Sequence, residues 1–213
     1  MRRRKKPGAK EELLSHDSLL VENPQQYKGN WKQMLKSDRI HIELGIGRGQ
    51  FINTLAEQNN DIGYIGIEIK EEILLDAVKK TVDEGLDNIK YLWVDINDID
   101  TIFDENEIER IYINFCDPWP KKRHSRRRLT YREFLNKYSK ILKNEGEIHF
   151  KTDGEELFEF SLNEICQSQN LFLRDVSLNL YRNEDIDTIK TEYEQKFISQ
   201  SKNIYFLRGI NNK

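Results

Sequence analysis

Asn114-Phe115-Cys116-Asp117-Pro118-Trp119-Pro120 is followed at once by Lys121-Lys122-Arg123-His124-Ser125-Arg126-Arg127-Arg128. The residues Ile111–Phe115 read as a buried strand: apolar, β-branched and aromatic, and too short for a helix. Pro118 cannot donate to a sheet ladder, so a strand over 111–116 is expected to stop at Asp117. That puts a carboxylate at a strand's carboxyl end, beside a rigid Pro-Trp-Pro turn, where open α/β sheets bind ligands. Six of the next eight residues are Lys or Arg. An acid, a flat aromatic and a cationic run point to chemistry on something polyanionic and planar, with nucleic acid as the candidate. Each feature alone has a plainer reading: Asp before Pro favours turns, a Trp fills cores, and basic runs are solvated. Their coincidence at one strand end favours the functional reading.

On both sides of this stretch, strand and helix patterns alternate. Strands are expected at Ile40–Leu44, Tyr64–Ile69, Ile89–Val94 and Glu147–Lys151, with two more at Leu171–Leu180 and Ile204–Ile210. Helices are expected after Gly49 (Phe51, Ile52, Leu55 and Ala56 on one face), at Glu71–Val82, near Ile99–Phe103, at Tyr131–Leu142, Glu155–Ser168 and Glu192–Ser199. Regular β-α alternation implies a parallel sheet with right-handed crossovers and helices on both faces. The last two strands lack that alternation and are expected to form an antiparallel edge. Residues 1–37 form a polar lead-in, with a basic arm and a short helix around Glu11–Leu20, and 38–213 a single domain.

The formal net charge of −3 does not by itself suggest a nucleic-acid binder. Its distribution does. Of 34 Lys and Arg, five lie in residues 2–6 and six in 121–128, leaving 23 against 37 acids elsewhere. One face can then attract phosphates while the rest of the surface repels them. Cys116 and Cys166 have no metal or redox spacing and read as buried thiols of a reducing cytosol. The amino terminus lacks the apolar stretch of a signal peptide, and no run approaches membrane-spanning length. A cytoplasmic protein with no membrane partner and no bound metal is expected.

Glu43-Leu44-Gly45-Ile46-Gly47-Arg48-Gly49 follows the first strand and opens a helix, where Gly45 and Gly47 permit a tight turn against a ligand. The dinucleotide fingerprint needs its third Gly at position 50, which is Gln50. Glu43 would also oppose a pyrophosphate, which disfavours a nicotinamide oxidoreductase. It suits a cation. S-adenosylmethionine, with an ammonium and a sulfonium but no phosphate, fits better. Glu68 at the end of the second strand stands where an acid grips a ribose diol, and Asp95 at the end of the third could accept from the adenine amino group.

These residues together resemble the tRNA (guanine-N7)-methyltransferases, class I enzymes that use S-adenosylmethionine. The resemblance spans nearly the whole chain and is most specific over Asp117–Arg128. Leu129-Thr130, Phe150-Lys151-Thr152-Asp153 and Thr191-Glu192-Tyr193-Glu194 add to it. It implies a Rossmann-like, seven-stranded, mostly parallel sheet with one antiparallel edge strand, and methylation of variable-loop guanine 46 of tRNA. By resemblance, Glu43, Glu68, Asp95 and Asp117 bind the cofactor, Asp117 being also the catalytic position. Lys121, Asp153, Thr191 and Glu194 match substrate positions, and Arg123, Arg126, Arg127 and Arg128 match RNA contacts. The implied partner is tRNA rather than DNA, for a monomer or homodimer.

Two of these sites also read as helix capping boxes, Asp153-Gly154-Glu155-Glu156 and Thr191-Glu192-Tyr193-Glu194. Two other functions compete: methylation of an exocyclic adenine amine, which Asp117-Pro118-Trp119 faintly echoes, and an RNA-binding module with a vestigial cofactor fold. Base analysis of the product separates the first from the guanine reading, and cofactor binding excludes the second.

Overall fold

Seven strands form one sheet in the computed structural model, which describes residues 8–182, 189–200 and 202–213. They are β1 (Arg39–Leu44), β2 (Ile62–Ile67), β3 (Ile89–Leu92), β4 (Ile108–Asn114), β5 (Leu142–Thr152), β6 (Leu171–Ser177) and β7 (Tyr205–Asn211). Their order across the sheet is β3-β2-β1-β4-β5-β7-β6. The first five run parallel, and β7 pairs antiparallel with both β5 and β6. The antiparallel member of the expected pair is thus inserted between β5 and the edge strand β6.

The helices are α1 (Ala9–Leu14), α2 (Trp31–Leu35), α3 (Gln50–Gln58), α4 (Glu71–Glu84), α5 (Ile99–Ile102), α6 (Arg132–Ile141), α7 (Glu155–Cys166) and α8 (Glu192–Ser199). Strand side chains alternate between faces, and the core divides accordingly. Ile40, Ile42, Ile65 and Ile67 pack with α2, α5, α6 and α7 on one side. Tyr64, Ile89 and Tyr91 pack with α1, α3 and α4 on the other.

The lead-in is tied to this frame. Leu13 and Trp31 are fully buried. The indole Nε1 of Trp31 donates to the Ile102 carbonyl at 3.0 Å, and Glu107 accepts from the amides of Gly29 and Trp31 at 3.1 and 3.0 Å. The expected helix Glu11–Leu20 ends at Leu14 instead, because Leu19–Val21 turns to bond the edge of β3 at Tyr91. The basic residues 2–6 lie outside the described residues.

Two boundaries bear on the site. The fourth strand was expected to reach Asp117 but ends at Asn114, because Phe115 takes the left-handed conformation (φ 50°) and turns the chain out of the sheet. The fifth was expected at Glu147–Lys151 but begins at Leu142, with Asn144–Gly146 as an irregular, bulged start opposite Ile108–Arg110. Cys166, expected to be buried, is exposed at the end of α7.

Candidate active site

The glycine turn after β1 takes its shape from backbone conformation: Gly45 and Gly47 have φ of 74° and 56°, which side-chain-bearing residues rarely adopt. Gly49, also left-handed, starts α3 where a Cβ would lie 2.7 Å from that of Ala77. This turn forms one wall of a cavity of about 590 Å³ at the carboxyl ends of β1, β2, β3 and β4. Glu43, Glu68, Asp95 and Asp117 all line it, as do Arg126, Arg127 and Thr191. Lys121, Arg123, Arg128, Asp153 and Glu194 are not among its lining residues.

Glu43 lies within β1 and is buried. Its Oε1 accepts from Asn114 Nδ2 at 2.9 Å, while Glu43 Oε2, Asn114 Oδ1 and Gln50 Oε1 are buried without a hydrogen-bond partner. Three unpartnered acceptors on one cavity wall are costly unless a donor arrives. A primary ammonium, with three N–H groups and a positive charge, complements them, so the residues present fit the expected cofactor. Burial pushes the Glu43 carboxyl up to about 8, against the opposing effects of the Asn114 hydrogen bond and the Lys151 charge.

Glu68 follows β2 directly, and the amides of Ile69 and Lys70 fix its Oε1 at 3.0 and 3.1 Å. Burial raises its pKa as well. Asp95 stands three residues past β3, not at its end, and is exposed. Its Oδ1 accepts from the Asn97 amide at 2.9 Å, so it also caps the short turn that leads into α5. Asp117 lies in the loop beyond β4, exposed and open to the cavity. Trp119 follows with φ 40°; the Arg127 guanidinium lies 4.8 Å from its ring and the His124 ring 5.8 Å away, edge-on.

Several resemblance-based assignments sit differently from what exposure to a substrate requires. Arg128 is buried and bonded to the loop carbonyls of Pro118 and Trp119. Glu194 is fully buried: its Oε1 accepts from Tyr181 Oη at 2.6 Å and Lys151 Nζ at 3.1 Å, and its Oε2 from the Thr191 amide. Thr191 and Glu194 form the expected capping box of α8, and Thr191 also lines the cavity. The second expected box is not formed. Gly154 rather than Asp153 precedes α7, and Asp153 pairs with Lys202 Nζ at 3.3 Å.

Sequence reasoning did not single out Asn114 or Lys151 as site residues. They are direct neighbours in the β4–β5 register. Lys151 is buried, and burial lowers its pKa against the pull of Glu194 and Glu43. The signal in the sequence was weak: Lys151 ends a stretch, Glu147–Lys151, that already carries Glu147 and His149, and only its burial in the sheet shows that it needs an anionic partner. Among the described residues no cluster of His, Cys, Asp and Glu could hold a metal ion, and no helix is long and apolar enough to cross a membrane.

Residues 37–207 match the family model described as "Putative methyltransferase". The fold superposes on the 16S rRNA methyltransferase KamB with a TM-score of 0.64 at 14% identity, covering 87% of this chain and 94% of that one. Fold and site together define a class I methyltransferase. The chain is 51% identical over 207 residues to the tRNA (guanine-N(7)-)-methyltransferase of Clostridioides difficile (strain 630), covering 96% of each. It is 47% identical over 206 residues to that of Geobacillus sp. (strain WCH70), covering 96% of this chain and 93% of the relative. It belongs to the tRNA (guanine-N7)-methyltransferase family.

Proposed function

We propose that this enzyme transfers the methyl group of S-adenosylmethionine to N7 of guanine in tRNA, with variable-loop guanine 46 as the acceptor. One observation supports this reading above the rest: a single cavity combines unpartnered acceptors suited to an ammonium with Asp117, Trp119 and a cationic rim. S-adenosylmethionine supplies an electrophilic methyl on a sulfonium.

The protein's residues divide the remaining work. Glu43, Asn114 and Gln50 would receive the ammonium, and Glu68, already held by two backbone amides, the ribose hydroxyls. Asp95 would accept from the adenine amino group. Guanine N7 presents a lone pair on the major-groove edge and carries no proton, so attack needs no general base. Alignment is the enzyme's main contribution, worth up to roughly 7–11 kcal/mol when geometry is right. Positive charge moves onto the purine as the methyl transfers, and the Asp117 carboxylate at the cavity stabilises it.

Trp119 offers a face on which the displaced base stacks. Asp153 reaches the guanine N1 and N2 hydrogens only by exchanging its ion pair with Lys202. Lys121, Arg123, Arg126 and Arg127 are exposed and hold the tRNA backbone without reading sequence. Residues 1–37 act as a basic arm and lead-in to one catalytic domain, in a cytoplasmic monomer or homodimer.

The test is incubation with methyl-labelled S-adenosylmethionine and unmodified tRNA, followed by mapping of the labelled nucleotide. Label on N7 of guanine 46 is expected. Label on an adenine amine, or tRNA binding without cofactor binding, would overturn the reading.

A further inference from the structure

Arg128 ends the cationic run yet is only 8% exposed, whereas Arg126 and Arg127 are open to solvent. Its Nε donates to the carbonyls of Pro118 and Trp119 at 3.1 and 3.3 Å, and its Nη2 to Trp119 at 3.1 Å. The guanidinium lies 4.4 Å from the centroid of the Phe160 ring on α7, and that ring stacks on Tyr131 at the start of α6. The cation thus joins the loop beyond β4 to α7 and, through the Phe160 ring, to the start of α6.

That loop needs an external restraint. It contains two left-handed non-glycine residues, Phe115 (φ 50°) and Trp119 (φ 40°), on either side of Asp117. Such conformations persist only where the surroundings over-determine them. Pro118 and Pro120 have no N–H, so neither can anchor the loop as a backbone donor. A planar fork that meets adjacent carbonyls while its face stacks on an aromatic ring is a property of Arg and not of Lys.

We propose that Arg128 is a positioning residue: it clamps the Pro118-Trp119 turn so that Asp117 and Trp119 face the cavity, and it meets no tRNA phosphate. This rests on the methyltransferase reading above. It separates one arginine of the run from its neighbours by role, and it makes Phe160, remote from the cavity lining, part of the same device.

The test compares Arg128→Lys, Arg128→Ala, Phe160→Leu and the double variant Arg126→Ala/Arg127→Ala with the wild-type chain. Single-turnover methyl transfer is measured at saturating S-adenosylmethionine and unmodified tRNA, and tRNA affinity is measured against salt concentration. Arg128→Lys should lower the single-turnover rate about 10- to 100-fold, since small misplacements at a reacting centre have effects of that order. Arg128→Ala, which removes the charge, should keep the wild-type log–log salt slope, because no phosphate contact is lost. Phe160→Leu, which changes no charge, should lower the rate in the same direction with the same unchanged slope. The double variant should flatten the slope by roughly 1.5–2.

An Arg128→Lys rate equal to wild type, or an Arg128→Ala slope flattened like that of a phosphate contact, would overturn the proposal. Should Arg128→Lys fail to fold, Phe160→Leu decides alone: a wild-type rate there refutes the clamp. If the wild-type chain transfers no methyl to guanine, the functional reading fails instead, and the two failures are distinguishable.

Discussion

Binding of the cofactor's ammonium should release a proton from Glu43. This carboxyl is buried with one oxygen on Asn114 and the other unpartnered, and its pKa stands at about 8 against an ordinary 4.5. The charged and titratable groups facing it from other elements are Lys151 on β5, Glu68 beyond β2, Tyr91 on β3 and Tyr112 on β4. Lys151 is itself engaged by Glu194, so it leaves Glu43 largely uncompensated. At pH 7 a group with pKa 8 is about 90% protonated, so a bound ammonium that ionises it should release about 0.9 proton. Release should fall to about 0.1 at pH 9.

The assay is calorimetric titration with S-adenosylhomocysteine, which keeps the ammonium, in buffers of different ionisation enthalpy. Titration of the ligand's own amine is removed by comparison with Glu43→Gln. The wild-type to Glu43→Gln affinity ratio should rise nearly tenfold per pH unit below 8 and level off above it. The same raised pKa stabilises the empty fold at low pH. That contribution is full below about 4.5 and is lost as pH rises through about 8, so Glu43→Gln should gain thermal stability over wild type at pH 9 relative to pH 5. A flat affinity ratio and equal proton release in both proteins would refute the reasoning.

Glu68→Ala should weaken cofactor binding at least tenfold, the loss expected when about 1.5–3 kcal/mol of charge-assisted hydrogen bonding disappears. Its tRNA affinity should stay near wild type, and unchanged cofactor affinity by calorimetry would exclude the ribose role. Lys151→Met leaves Glu194 as an uncompensated buried charge and should destabilise the chain by about 3–5 kcal/mol in denaturant unfolding. A variant within about 1 kcal/mol of wild type, the value for an exposed pair, would mean that the pair is not structurally isolated from water.

The first half of the sheet was legible because local signals agree with the fold. Alternating strands, the glycine turn, and the faces of α3 and α4 each specify the same α/β unit. The boundaries that sequence reasoning missed depend on contacts far along the chain. Phe115 leaves β4 early, although its amide still bonds the Lys151 carbonyl at 2.9 Å, and nothing local in Asn-Phe-Cys marks a left-handed residue. Arg128 looks like one more solvated cation until Phe160, 32 positions later, supplies a ring for it to cover. Glu194 was legible as part of the cap of α8, but its ion-pair partner, Lys151, is 43 residues away. The four acids were legible as a set because strand ends share one edge of a parallel sheet. Their differing burial was not, because it depends on how far each lies beyond its strand.

Asp117 carries the central claim, that the loop beyond β4 brings a carboxylate to the cavity where cofactor and guanine meet. Asp117→Asn keeps the shape and turn preference of the side chain and removes its charge. The most direct measurement is the single-turnover rate of Asp117→Asn with both S-adenosylmethionine and unmodified tRNA saturating. A fall of about 10²–10³ is predicted, with both ligands binding only modestly more weakly, as for loss of a group that stabilises developing charge. A rate near that of the wild-type chain would contradict the claim and leave Asp117 as a turn residue.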